Sequence, residues 1–277
     1  MFADLHLHTT YSDGTCTPLE LCQLAAERNV RVLSITDHDT VSGQKALLDV
    51  QIPSSVRVIT GIEISMLDNH KMQHILGYHI DINSPKLETF LACLSAAVTE
   101  STKLNFEKAL AEGAFLYNWE RVLELNADNP RIGGSRVVKA MAIDGYNIPC
   151  MEPYDMYRKY FLCENKDYIW KCAYTAYDAI EIIKAIGGVP VIAHPKSIGD
   201  DDIVLNLIRH GVQGLEVYHP SHTNEDTAKY LQMAEDKKLY VTGGSDWHGK
   251  SGNNAYHMGR AFAANGLEHE NYGILKI

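Results

Sequence analysis

The segment Asp4-Leu5-His6-Leu7-His8-Thr9-Thr10-Tyr11-Ser12-Asp13-Gly14 constrains this chain more than any other. Residues two apart on a strand point to the same side of a sheet, so His6 and His8 reach one place from one rigid element. The Asp-Gly turn that follows lets Asp13 curl back toward that place. Two imidazoles and a carboxylate are a donor set for Zn, Mn or Fe. The plain alternative is a half-buried strand with incidental histidines, and the rest of the chain weighs against it.

Apolar runs, β-branched residues and turn punctuation predict strand 3–9, helix 17–29, strand 31–37, a short helix near 41–50 and extended segments near 56–66 and 71–80. Thr17-Pro18-Leu19-Glu20 has the composition of a helix start, with a capping threonine, proline at the first helical position and an early acid. From about 86 to 185 the pattern turns mostly helical and reads as an inserted domain. Alternation resumes with helix 176–187, strand 188–194, helix 201–210, strand 212–218, helix 223–237 and strand 239–245. Repeated β-α units whose strands end in polar residues describe an α/β barrel with its site at the strand C-terminal ends. The expected division is a barrel from 1–85 and 188–277, interrupted by a helical insertion at 86–187.

Each expected strand end delivers metal-ligand residue types. The first carries His6, His8 and Asp13, the second Asp37 and His38, and the third Glu63 in Gly61-Ile62-Glu63-Ile64-Ser65. His74, His194 in Ala193-His194-Pro195, and Asp246 and His248 in Gly244-Ser245-Asp246-Trp247-His248 follow. One histidine at a strand end is usually a hydrogen-bonded structural residue, but so many in register with strand ends imply a shared centre. Burying so many imidazoles and carboxylates is costly unless something compensates them, and divalent metals do so. Nine donors, His6, His8, Asp13, His38, Glu63, His74, His194, Asp246 and His248, are too many for one metal and suit two or three, with Glu63 placed to bridge. Ions with that excess of positive charge attract phosphate and activate water, so hydrolysis of a phosphoester by a metal-activated hydroxide is the direct reading.

The ordered set His-x-His…Ser-Asp-Gly, Thr-Asp-His-Asp-Thr, Gly-Ile-Glu-Ile-Ser, His-Ile-Leu-Gly-Tyr, Ala-His-Pro and Gly-Ser-Asp-Trp-His resembles the polymerase and histidinol phosphatase (PHP) family of metal-dependent phosphoesterases, over roughly residues 1–80 and 188–250. The resemblance implies a distorted (β/α)7 barrel holding up to three metals. By motif position it implies His6, His8, Glu63 and Asp246 for one ion, Glu63, His74 and His194 for a second, and Asp13, His38 and His248 for a third. The insertion is similar to that of a PHP subgroup acting on nucleoside 3′,5′-bisphosphates and short RNA ends, where it carries an Arg-Pro-His-like element. This chain departs from that element, reading Pro130-Arg131-Ile132-Gly133-Gly134-Ser135-Arg136. Ser135 and Arg136 at a helix start, with Lys171, are the expected phosphate contacts, because free amides and the helix dipole favour anions and arginine suits bidentate contact. Their bland alternative is solvation of helix ends.

His222, in His219-Pro220-Ser221-His222, is a candidate to bind phosphate or relay a proton, and Asp37 with Asp39 to orient ligands from behind. His70, His79, His210, His257 and His269 have no partner motif, and the insertion's aromatics are expected to form its core. The net charge of −10 argues against wrapping a long nucleic acid. No apolar run approaches the roughly 20 residues that span a bilayer, so no membrane partner and a cytoplasmic location are expected. Six cysteines without a Cys-x-x-Cys pair are expected to be reduced. The leading expectation is a phosphoesterase using two or three Mn, Zn or Fe ions on a small phosphorylated substrate, a nucleotide above all, with the insertion closing as a lid. Its rivals are a histidinol-phosphate-type phosphatase, a non-catalytic metal-binding PHP module and a hydrolase of C–N or C–O bonds.

Overall fold

The computed structural model describes residues 2–68, 70–146, 153–162, 167–249 and 273–276. His257, His269, Cys150 and Cys163 lie outside them, as does the side chain of Tyr154. The order is β1 (Phe2–Leu7), α1 (Pro18–Glu27), β2 (Val30–Ile35), α2 (Ser42–Lys45), β3 (Arg57–Asp68), β4 (Lys71–Tyr78), α3 (Pro85–Ala111), α4 (Trp119–Glu124), α5 (Gly134–Ile143), α6 (Pro153–Tyr160), α7 (Ala176–Ala185), β5 (Val189–Ile192), α8 (Asp201–Arg209), β6 (Gly214–Tyr218), α9 (Asn224–Lys237) and β7 (Tyr240–Gly243).

The seven strands follow one another in a single sheet in chain order. Beyond their ends the outer strands meet, since Leu7 and Trp247 form a parallel bridge and the His8 amide donates to the Trp247 carbonyl at 3.0 Å. The sheet thereby curls into a distorted barrel. One strand breaks the parallel pattern. A tight connection after Asp68 sends β4 back along β3, so β4 pairs antiparallel with β5, as a hairpin link requires and a helical crossover does not.

Local signals explain the elements around the site. Thr17 and Glu20 complete the capping box of α1, with Pro18 in its first turn. Leu21, Cys22 and Ala25 of that helix are buried in one cluster with Leu7, Leu33, Ile35 and Trp247. The expected helix near 41–50 is shorter. It stops at Lys45, and Leu47, Leu48 and Val50 continue in tight turns bonding three residues back, ahead of Pro53. Buried Gln44 of this short helix donates to the carbonyls of Ile35 and Gly61, tying β2 to β3.

By internal contacts the chain divides into two units: Met1–Met66, Gln73–Leu87 and Ala176–Ile277 form the first, Leu67–Met72 and Glu88–Thr175 the second. Within the second unit, Phe106, Phe115, Trp119, Val137, Met141, Met156, Tyr160 and Phe161 share a core, with Tyr117, Tyr146 and Tyr157 packed against it. Asn105 on α3 accepts from the Ile169 amide at 3.0 Å and donates to its carbonyl at 2.9 Å, and Ser101 Oγ accepts from the Lys171 amide at 2.9 Å. The long helix thereby holds the extended 169–171 segment. Among the described residues no helix is long and apolar enough to cross a membrane.

Candidate metal centre

Strand alternation sets the site. On β1, Leu5 and Leu7 are buried, Leu7 in the apolar cluster, while Asp4, His6 and, just past the strand end, His8 take the other parity, all three fully buried. Asp4 does not join the donors, because its Oδ1 accepts from the Ser245 amide at 2.9 Å and fixes the segment leading to Asp246.

Glu63, at the middle of β3, is the hub. Its Oε2 lies 3.3 Å from His6 Nε2, 3.3 Å from His8 Nε2 and 2.9 Å from His38 Nδ1, and its Oε1 lies 2.8 Å from His74 Nδ1 and 3.1 Å from His194 Nε2. Asp246 Oδ1 stands 3.4 Å from His6 Nε2 and 3.1 Å from His8 Nε2. Asp13 makes a second focus, 3.2 Å from His248 Nε2 and 3.9 Å from both His8 Nδ1 and His38 Nε2. All nine donors expected from the sequence thus lie in one constellation. Their ligand atoms group as His8, Asp13, His38 and His248; as His6, His8 and Glu63; and as His38, Glu63 and His74.

The electrostatics are those of a site built for cations. Burial pushes the Glu63 carboxyl up, but His38, His6 and His74 outweigh it and hold it well below the usual carboxylate range. Asp13 is likewise held low against its burial by His248 and His38. Burial and the neighbouring His248 and His38 push His8 down to about 3, whereas Asp13 and Asp246 overcome burial at His248 and raise it to about 10. His6 Nε2, His8 Nε2, Asp13 Oδ1 and Glu63 Oε2 are buried and make no hydrogen bond. Buried polar atoms normally find partners, and four orphaned ligand atoms at shared foci fit divalent ions. Non-glycine residues with positive φ also gather here, at Asp39 (53°), His194 (26°) and Asp246 (51°), the kind of backbone strain that concentrates at functional sites.

Asp37 sits behind the centre. Fully buried, its carboxylate accepts from the Thr9 amide (2.7 Å), Thr9 Oγ1 (2.7 Å) and Ser12 Oγ (2.6 Å), so it pins the loop between His8 and Asp13. Asp39 does the same for β3, accepting from the Ser65 amide at 2.8 Å. His222 Nδ1 donates to the Val217 carbonyl at 2.9 Å, which leaves Nε2 as a buried acceptor, and burial lowers its pKa.

Ser135, Arg136 and Lys171 belong to the second unit. Arg136 is nine-tenths buried on α5 and donates to Asn126 Oδ1 at 3.4 Å, while Ser135 is half-buried and Lys171 exposed. His79, which has no partner motif in the sequence, donates from Nε2 to the Ile274 carbonyl at 2.8 Å.

Two residues near the centre had no role in the sequence reading. Glu216, fully buried on β6, accepts from His6 Nδ1 at 3.0 Å and from the His194 amide at 2.8 Å. His219 places Nε2 3.5 Å from Asp246 Oδ2. The signal was available in Gly214-Leu215-Glu216-Val217-Tyr218, since a carboxylate in a strand buried at every position requires a buried partner.

Comparison with known proteins places this geometry. The PHP domain family model matches residues 4–169. A phosphoribosyl 1,2-cyclic phosphate 1,2-diphosphodiesterase of Eggerthella lenta is 32% identical over 262 residues, covering 91% of this chain and 96% of the relative. A 3′,5′-nucleoside bisphosphate phosphatase of Chromobacterium violaceum is 29% identical, covering 92% and 90%, and the 5′-3′ exoribonuclease Rnm of Salmonella typhimurium 30%, covering 88% and 84%. Among solved structures, a protein from Bifidobacterium adolescentis assigned as a metal-dependent phosphoesterase superposes with a TM-score of 0.77 at 27% identity, covering 98% of each chain. A sulfate-bound amidohydrolase structure from Chromobacterium violaceum superposes with a TM-score of 0.75 at 26% identity, covering 94% and 90%. The chain belongs to the PHP family, as its ordered motifs implied.

Proposed function

We propose that this PHP-family, metal-dependent phosphoesterase hydrolyses a phosphoester of a small phosphorylated ribose compound, a nucleotide above all, at two or three divalent ions. The observation that carries the reading is the set of nine donors around Glu63, Asp13 and Asp246, with four of their buried atoms lacking any hydrogen bond. The proposed ligands are His6, His8, Asp13, His38, Glu63, His74, His194, Asp246 and His248, and Mn, Zn or Fe suit such a mixed imidazole and carboxylate set. The substrate class is supported by relatives whose names share a ribose phosphate, whether bisphosphate, cyclic phosphate or RNA end.

Divalent ions at this centre would supply an acidified water and offset charge on the phosphoryl oxygens. The chain's own contribution is preorganisation. Glu63 faces five imidazoles, which suits a bridging position. Asp37 holds the Thr9–Ser12 loop so that Asp13 and His8 keep their spacing. His222 Nε2, an unpartnered acceptor, suits a proton taken from water or a substrate hydroxyl.

Residues 1–85 and 188–277 as the metal-holding part, residues 86–187 as the part that selects substrate, and action in the cytoplasm belong to the same proposal. So do Ser135, Arg136 and Lys171 as phosphate contacts. The exposed Lys171 gives the clean test of the last, because Lys171→Ala should raise KM for a bisphosphate more than for a monophosphate.

The deciding experiment is release of inorganic phosphate or of mononucleotide by the Mn-loaded protein. The panel holds nucleoside 3′,5′-bisphosphates, nucleoside monophosphates, a ribose cyclic phosphate, short oligoribonucleotides and histidinol phosphate. Nucleotide turnover is expected. Preference for histidinol phosphate, or no release with metal bound, would overturn the assignment.

A further inference from the structure

The proposed ligands come from β1 and the loop after it, the segment after β2, β3, β4, the turn after β5 and the segment after β7. Strand β6 contributes none, yet its end runs through the centre. Glu216 is completely buried, and its two oxygens are divided between two ligands on different elements: Oε1 accepts from His6 Nδ1 at 3.0 Å, and Oε2 accepts from the His194 amide at 2.8 Å. The first contact settles the His6 ring. With a proton on Nδ1 facing a carboxylate, Nε2 is the atom presented to Glu63 at 3.3 Å and Asp246 at 3.4 Å. The second contact holds the residue whose φ of 26° is least natural for a side chain other than glycine, so the His194 backbone depends on an external acceptor.

Three residues on, His219 is held from its other side. Its Nδ1 receives the Ser221 amide at 3.2 Å and lies 2.7 Å from Ser221 Oγ. A backbone amide can only donate, so Nδ1 is an acceptor and the ring proton sits on Nε2. That Nε2–H is buried, has no hydrogen bond and lies 3.5 Å from Asp246 Oδ2, the oxygen turned away from His6 and His8. A short movement makes it a donor to that oxygen while Oδ1 serves as ligand. The rings of His219 and His194 are 5.1 Å apart, and those of His219 and His6 are 6.1 Å apart, so His219 also packs against both.

We infer that Glu216 and His219 are positioning residues, and that β6 with its turn is the outer frame of the metal centre, aiming His6, His194 and Asp246 at the ions. This rests on the proposed function only in taking those three as ligands. Hydrogen-bond partners of ligands fix ring orientation and raise donor strength, and their loss typically costs about 10–100-fold in metal affinity or activity.

The test is Mn2+ titration of the metal-stripped full chain by calorimetry, without substrate, for wild type, Glu216→Gln, Glu216→Ala, His219→Gln and His219→Ala. The His6 tautomer is read in parallel from ring nitrogen shifts, and thermal melting of the stripped proteins reports folding. A glutamine keeps one acceptor where two donors need one, so Glu216→Gln should bind Mn2+ about 10-fold more weakly and Glu216→Ala more weakly still. His219→Gln keeps an N–H in place of Nε2–H and should recover most of the affinity lost in His219→Ala. Affinity in Glu216→Gln within twofold of wild type, with the His6 tautomer unchanged, would overturn the inference. So would equal loss in both His219 variants, or a wild-type chain that binds no metal. Normal metal binding by a chain that hydrolyses no phosphoester would refute the proposed function and leave this inference standing.

Discussion

A single methyl group at Gly244 tests whether the centre depends on the close approach of β1 to the segment after β7. Built on Gly244, a Cβ would lie 2.5 Å from His6 N and 2.8 Å from His6 Cα, and closer still to His6 Cβ. Relaxed carbon contacts sit at about 3.5–4.0 Å, so in Gly244→Ala the two segments must part by roughly 1 Å. No flexible side-chain end can absorb the shift, because the atoms met are backbone and Cβ. The φ of Gly244 is outside the positive range, so steric contact and not backbone strain sets the cost. Overpacking of this kind destabilises by about 1–3 kcal/mol, which lowers Tm by roughly 2–12 °C at this chain size. Since His6 itself is displaced, kcat/KM should fall by about 10²-fold, the usual result of misplacing a site by an ångström. Phosphate-release kinetics and thermal melts, each with Mn2+ in excess, read both effects. Gly113→Ala is the control. That glycine has φ +71° and no heavy atom within 4 Å of its Cβ, so the variant should lose about 1–2 kcal/mol of stability with kcat/KM unchanged. A Gly244→Ala enzyme within twofold of wild-type kcat/KM would refute the reasoning.

Replacing His194 or Asp246 with alanine should reduce turnover to background while far-UV circular dichroism stays native, and normal activity in either would sink the metal assignment. Chelation should lower Tm and re-addition of Mn2+ restore it, since each site contributes about 2.7 kcal/mol when free metal is 100-fold above Kd; a Tm indifferent to chelator would count against bound ions. Trp247 is fully buried, so Trp247→Ala should cost about 3–5 kcal/mol in urea unfolding, with a smaller loss for Trp247→Phe. In the second unit, hydrogen bonds from Arg121 and Tyr117 hold Asp144 down at about 2. A carboxyl lowered on folding stabilises above its unfolded value of about 3.9 and ceases to as pH falls through its folded one. The stability difference between wild type and Asp144→Asn should therefore be full above about pH 5 and shrink progressively toward about pH 1; a difference that stays constant from about pH 6 to about pH 2 would contradict it.

The sequence by itself determined the donor types, the strands that carry them and the order of elements, because strand parity, helix caps and turn residues act over a few positions. His6 and His8 share a face through a two-residue period, and Thr17 with Glu20 starts α1 as its four-residue pattern requires. Short-range signals also misjudged lengths, as at the helix near 41–50, where tight turns ahead of Pro53 take over after Lys45. What only the tertiary structure decided is which side chains meet across long separations. That Glu216 faces His6, 210 positions away, that Asp246 lies against His8, that β4 runs antiparallel to β5, and that Gly244 leaves room for β1 all follow from how the sheet curls and where its edges join. Those contacts depend on strand register and curvature, which are set by the packing of the whole sheet. A buried carboxylate such as Glu216 announces from sequence that it needs a partner, and the fold alone names the partner.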